Sequence, residues 1–233
     1  MQYSNPHIEL CLEGSSSIFK GLDQSDKELI AERHTLAIIG KGSFLFKEGE
    51  KTRGLIFLAS GKAKIFKKGV GGREQILKME KPGGLIGYRT LFSENTWSVS
   101  SAAVEDSVIC VMEKHAMVKI LQKNPDLSLK FTRILSEELW LSYNRTVSLT
   151  QKHVRGRLVE SLLLLGEIYG YEADGKTIKA ILSRDDIAHL SSMTTSNAIR
   201  TLSSLASEGY IGIKGRRISI PDIKTLEHIS EQA

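Results

Sequence analysis

Residues 183–202 read SRDDIAHLSSMTTSNAIRTL, and most of the fold assignment turns on them. Ser183 followed three residues on by Asp186 is a close relative of the capping box, in which side chain and backbone at a helix start satisfy each other. Behind it, Ile187 and Leu190 face inward and small Ala188 leaves room for another helix to approach. Thr194 is an acceptable cap for a second helix, whose Ala198, Leu202 and Leu205 share a face. The spacing predicts two short helices joined by a tight turn.

The outward side of that second helix carries Thr195, Ser196, Asn197, Arg200 and Ser204, almost free of acid. Short hydrogen-bonding side chains and an arginine at a helix start can reach phosphate oxygens and base edges in a major groove, and the helix N-terminus itself favours phosphate. Directly downstream, YIGIKGRRISIP (residues 210–221) predicts two strands around Gly215 and Arg216, a wing bearing Lys214, Arg216 and Arg217. The bland alternative is a Ser/Thr-rich solvated helix in an ordinary α/β lobe. Helix, tight turn, polar helix and basic wing in series favour DNA, because those parts dock together. The candidate DNA contacts are therefore Ser183, Arg184, Thr194, Thr195, Ser196, Asn197, Arg200, Lys214, Arg216 and Arg217.

Bulk charge adds little to this. The chain of 233 residues carries a net charge of +5, yet residues 151–233 hold 11 Lys and Arg against 10 Asp and Glu, whereas residues 41–81 hold 11 against 4. The second cluster reads as solvated outer faces of antiparallel strands and their turns. No apolar run reaches the roughly 18 residues a membrane span needs, and the first residues lack a basic segment followed by an apolar block. A cytoplasmic protein with no membrane partner is expected.

From Gly40 to Met112 short alternating or apolar runs close on Gly, Pro, Asn or Asp, which predicts an all-β stack or barrel. KKGVGGREQ (residues 67–75) reads as a hairpin loop. Ahead of the barrel, Ser25 reads as the cap of a lead-in helix. Within the barrel, PGGLIGYRTLF (residues 82–92) sets Gly83, Gly84 and Gly87 beside Tyr88 and Arg89, a bend of the kind that holds a ligand.

Asn124 and Pro125 open the longest predicted helix, which runs to about Lys152. Leu135, Leu139, Ser142, Thr146 and Leu149 step by four, three, four and three, the seam of a two-stranded coiled coil, while Phe131, Ile134 and Leu141 form a second stripe that could pack on the barrel. Two stripes on one helix favour a homodimer. Beyond it, RGRLVESLLLLGEIYG is helical, and YEADGKTIKAIL places an Asp174-Gly175 hairpin turn between two short strands.

In this order these segments resemble the cyclic-AMP receptor and FNR-type (Crp/Fnr) bacterial transcription regulators over nearly the whole chain. The local resemblance lies in GEKTRGLIFLASGKAKI, PGGLIGYRTLF, NPDLSLKFTRILSEEL and SRDDIAHLSSMTTSNAIRTL. It implies an α+β architecture: a jelly-roll-like effector barrel over residues 1–123, a dimerisation helix over 124–152 and a winged helix-turn-helix over 153–233. It also implies a small molecule held between barrel and central helix, with Gly83, Gly84, Gly87, Tyr88, Arg89, Ser98, Val99, Ser142 and Tyr143 as pocket candidates. Double-stranded DNA and a second copy of the chain are the implied partners, with RNA polymerase as a further candidate.

In cyclic-nucleotide-binding members of the family a glutamate after the glycine bend holds the ribose and a later arginine holds the cyclic phosphate. Here those positions are Tyr88 and a place near Ser98, with no positive side chain read nearby. Burying a phosphate charge without a partner costs several kcal/mol, which argues against cyclic AMP. Arg89, next to Tyr88 on an alternating strand, should face away from it. Cys11 and Cys110 are too few for a cysteine-held iron–sulfur cluster. Heme would need an axial side chain, for which His7, His34 and His115 are isolated candidates. A neutral or weakly polar effector and constitutive activity stay open, as does activation against repression.

The family's recognition helix often reads with an arginine–glutamate pair and a second arginine. This chain keeps only Arg200, with Thr195 and Ser196 where the pair would stand, so a different half-site is expected. The rival class is a barrel-based small-molecule-binding protein or metal-independent enzyme whose C-terminal domain mediates protein interaction. Metal-dependent barrels need converging histidines, and residues 40–112 contain none; a nucleophile elbow, phosphate loop or HExxH spacing is also missing. A regulator without catalytic residues is expected.

Overall fold

The structure is a computed structural model that describes residues 5–15, 17–93 and 96–232. Two helices lead in, α1 (Pro6–Glu13) and α2 (Gln24–Glu32). The barrel follows with β1 (His34–Ile39), β2 (Phe44–Phe46), β3 (Gly54–Ser60), β4 (Ala63–Lys68), β5 (Glu74–Glu80), β6 (Leu85–Ile86), β7 (Ser100–Ala103) and β8 (Ser107–Glu113). Then come α3 (Lys114–Lys123), α4 (Pro125–Gln151), α5 (Val154–Tyr169), α6 (Arg184–Leu190), α7 (Thr195–Ser207), β9 (Gly212–Lys214), β10 (Arg217–Ser219) and α8 (Ile223–Gln232).

The chain divides into two compact units, residues 1–67 with 80–140 and residues 68–79 with 141–233. In the first unit one sheet runs β1-β8-β3-β6, and in the other β7 lies between β2 and β4. Strand neighbours that are not neighbours in sequence give the jelly-roll pattern. β3 is buried on both sides, which explains its unbroken apolar run. Leu55, Phe57 and Ala59 join Cys110, Met112 and residues of the helices in one core, while Ile56 and Leu58 join Phe46, Trp97 and Ile109 in the other. Phe131 of α4 is fully buried in the helical core, with Ile134 and Leu135 packed at its edge.

Several expectations need correction. The lead-in helix α2 is capped by Asp23, which accepts from the Asp26 amide, and Ser25 instead donates to Asp23. Leu141 does not join the packed stripe of α4; it is exposed. Around Asp174 and Gly175 the predicted strands reduce to a single bridge between Tyr171 and Ile178, because Asp174 draws the Lys176 and Thr177 amides into a tight local turn. Tyr88 and Arg89 lie in a 3-10 turn spanning Tyr88–Leu91, not in a strand. Tyr88 is nevertheless buried and Arg89 exposed, as alternation would have had it.

The glycine bend has a steric cause. Pro82 and Gly83 are the central pair of a turn closed by the Gly84 amide on the Lys81 carbonyl, and Gly83 has φ +91°, the signature of a type II turn. Gly87 has φ +87°, and a Cβ there would stand 2.4 Å from the Trp97 ring. The bend lets Trp97 lie against the backbone and stack on Phe46, 3.9 Å between centroids.

Candidate nucleic-acid interface

The second unit carries the helix-turn-helix. Ser183 accepts from the Asp186 amide at 3.0 Å, and the Asp186 carboxylate accepts in turn from the Ser183 amide, so the capping box forms. Thr194 caps α7 by accepting from the Asn197 amide. Between the helices Ser192 takes φ +56°, the left-handed residue that makes the turn tight. Ala198, Leu202 and Leu205 are buried as the pattern predicted, and Ala188 is fully buried at the close approach of α6.

Beside Thr194, the cap of α7, the other nine candidate contacts fall into two groups. The Ser183 hydroxyl serves its own cap, and Thr195 donates to Asp185 at 2.6 Å. Arg184 donates to the Gly215 carbonyl at 2.9 Å, tying the start of α6 to the turn of the wing. Arg217 reaches Glu172 at 3.5 Å. Ser183, Thr195 and Arg184 thus brace the domain, while Arg217 stays exposed. Ser196 and Arg200 instead lie exposed on α7, with Lys214 and Arg216 exposed on the wing. Asn197 accepts a hydrogen bond from Arg200, which orients the guanidinium along the helix face.

One exposed residue was not anticipated. Ile199 is 46% exposed, and with Ser196, Arg200 and Ser203 it completes an outward row at helical spacing. An isoleucine carries no phosphate- or base-pairing group that would mark it in the sequence. Its position between two groups suited to DNA would have been the only signal.

In the first unit Tyr88 packs against Phe131, ring centroids 6.5 Å apart, within the helical core. Gly83, Arg89, Ser98 and Val99 lie at or near the surface. The expectation that no cation stands near Ser98 is corrected: Lys67 Nζ donates to the Ser98 carbonyl at 3.0 Å, and also to Glu48 at 2.7 Å. Sequence distance hid the pair, since strand pairing between β4 and β7 creates it. On α4, Leu139, Ser142, Tyr143, Thr146 and Leu149 are exposed. Burial pushes the Cys110 thiol up to about 11. Among the described residues no group of three His, Cys, Asp or Glu could hold a metal ion, and no helix is long and apolar enough to cross a membrane.

Residues 38–124 match the cyclic nucleotide-binding domain, and residues 156–229 match the Crp-like helix-turn-helix domain. The chain belongs to the Crp/Fnr family of transcription regulators. A CRP-like cAMP-activated global transcriptional regulator of Mycobacterium tuberculosis is 24% identical over 91% of this chain and 95% of its own length. An anaerobic regulatory protein of Bacillus subtilis is 27% identical over 85% and 81%. Among solved structures, FixK2 of Bradyrhizobium japonicum superposes with a TM-score of 0.76 at 21% identity, covering 84% of this chain and 96% of FixK2. Crp/Fnr regulators bind DNA through this domain and act as dimers.

Proposed function

We propose that this Crp/Fnr regulator binds a two-fold-related DNA site as a homodimer, with α7 of each copy in the major groove and half-sites about one helical turn apart. The observation that carries the reading is the outward row Ser196, Ile199, Arg200 and Ser203 on a helix whose other side is buried. Lys214 and Arg216 supply phosphate contacts from a wing that Arg184 ties to α6. The exposed Leu139 and Leu149, which share the expected seam with exposed Ser142 and Thr146, support the dimer, because apolar positions at heptad spacing left open to solvent call for a second copy. The working division is a barrel over 1–123, a dimer helix over 124–152 and a DNA-binding domain over 153–233. The protein acts in the cytoplasm, without catalysis, and RNA polymerase is its further partner at promoters.

The residues do not fit a cyclic nucleotide. At the position that resembles the ribose-holding glutamate, Tyr88 is buried against Phe131. At the position that resembles the phosphate-holding arginine stands Ser98, and the cation on its carbonyl, Lys67, is also engaged by Glu48. A weakly polar effector or constitutive binding takes the place of cyclic AMP. The residues to test for an effector are Gly83, Gly84, Gly87, Tyr88, Arg89, Ser98 and Val99 in the first unit, and Ser142 and Tyr143 on α4. Calorimetric titration with cyclic AMP, beside sedimentation equilibrium at micromolar protein, tests both halves of the reading. A dimer that gives no binding heat is expected. A saturable cyclic-AMP isotherm would overturn the effector half, and a monomer would overturn the dimer.

A further inference from the structure

A helix leaves its last four carbonyls without intrahelical partners, and α6 shows where each of its own finds a donor. Ile187 accepts from the Ser191 amide and Ala188 from the Met193 amide, both at 3.0 Å and both from the turn itself. The other two are met from outside. His189 accepts from Gln75 Nε2 of β5 at 2.8 Å, and Leu190 accepts from Arg145 Nη2 of α4 at 2.8 Å.

Arg145 does more than cap α6. The same Nη2 donates to the Ile76 carbonyl at 2.7 Å, and Nη1 donates to the Leu77 carbonyl at 3.0 Å. One guanidinium therefore fastens the dimer helix to both β5 and the first helix of the DNA-binding motif, all within the second compact unit. It is half-buried, and its hydrogen bonds among the described residues go to neutral carbonyls, so burial pulls its pKa below the usual arginine range, partly opposed by Glu160. A cation partly withdrawn from water depends on its acceptors staying in place, which makes the clamp sensitive to geometry. Just past α6, Arg157 Nε donates to the Ser191 carbonyl at 3.3 Å and holds the turn from the α5 side.

Along α4, Arg145 sits between Ser142 and Thr146 of the expected dimer seam. We propose that Arg145 is a positioning residue for DNA recognition: by locking α6 to the dimer helix, it fixes the separation of the two α7 helices and so the half-site spacing the dimer accepts. This rests on the dimeric DNA reading above. Loss of Arg145 should leave contacts within one half-site intact and relax the geometry between half-sites.

The test measures affinity of the full-length protein for three kinds of duplex: a palindrome at the preferred spacing, the same palindrome lengthened or shortened by two base pairs, and a single half-site. Arg145→Met should cut the preference for the native spacing by about tenfold, what one or two hydrogen bonds from a charged group are worth, with half-site affinity unchanged. If that variant fails to fold, Arg145→Lys gives the same direction, since an ammonium cannot span carbonyls of both elements as the guanidinium fork does. Gln75→Ala, which removes the His189 link and a 3.1 Å hydrogen bond to the Ile76 carbonyl but leaves the Arg145 guanidinium in place, should widen spacing tolerance less. A variant that keeps the wild-type spacing preference, or weakens all duplexes equally, would overturn the inference alone. Wild-type protein with no spacing preference would overturn the dimeric reading and the inference with it.

Discussion

Arg155 at the start of α5 and Glu208 at the end of α7 form a two-pronged ion pair, with Nη1 2.8 Å and Nη2 2.7 Å from the two carboxylate oxygens. Ser204 donates to the same carboxylate at 2.6 Å, and the Arg155 guanidinium lies 5.6 Å from the Tyr210 ring centroid. The C-terminal end of α7 is thereby fastened to the start of α5. Hydrogen bonds from Arg155 and then Ser204 hold the Glu208 carboxyl at about 2, below its ordinary 4.5. A depressed folded-state value means the stabilisation is full above the ordinary carboxylate range and fades as pH falls toward 2. Denaturant midpoints of wild type should therefore fall more steeply than those of Glu208→Gln between pH 4.5 and 2. Parallel slopes would remove the pair from the acid response.

Gly87→Ala is expected to destabilise the barrel. The new methyl would meet the Trp97 ring, and φ +87° is a conformation that alanine adopts only under strain. A loss of about 1–3 kcal/mol is expected, read as a lower urea midpoint at unchanged slope.

Ser192→Gly should act the other way. Ser192 holds φ +56° in the helix-turn-helix turn, and its buried hydroxyl has no partner among the described residues. Glycine reaches that conformation freely, so a gain of about 1 kcal/mol is expected by thermal or chemical denaturation, with DNA affinity unchanged.

Ile199 suits the 5-methyl of a thymine, the one apolar group on a major-groove base edge. Replacing thymine by uracil across the half-site should weaken wild-type binding about fourfold at one position, from the value of one buried methyl. Ile199→Ala should be blind to that exchange, and equal sensitivity in both proteins would assign the methyl contact elsewhere.

Arg200 is oriented by Asn197, and on the proposed reading its guanidinium pairs with guanine O6 and N7. Arg200→Ala should cost about 1–3 kcal/mol and relax the preference at a single base pair. Equal weakening on every sequence would instead make Arg200 a phosphate anchor.

The features legible in the sequence were those fixed by local chemistry. The capping box of Ser183 and Asp186, the Thr194 cap and the inward faces of α6 and α7 depend on residues within one or two turns of each other, and periodicity exposes them. What escaped depends on distant partners. Arg184, Thr195 and Arg217 look like DNA contacts in a one-dimensional pattern, yet Gly215, Asp185 and Glu172 engage them in space. Lys67 reaches Ser98 only because two strands pair, and nothing near residue 145 announces that its arginine will meet carbonyls of β5 and α6. Tyr88 was legible as a departure from the cyclic-nucleotide pattern, but its burial against Phe131 required the packing of α4 on the barrel.

The most direct test of the central claim is selection from a random duplex pool by the purified, effector-free protein at about 150 mM salt, where non-specific phosphate binding is weakened. Enrichment of a palindrome with half-sites about one helical turn apart, lost with Arg200→Ala, is the expected result. Enrichment of an unpaired motif, or a palindrome that Arg200→Ala selects equally well, would contradict recognition by paired α7 helices.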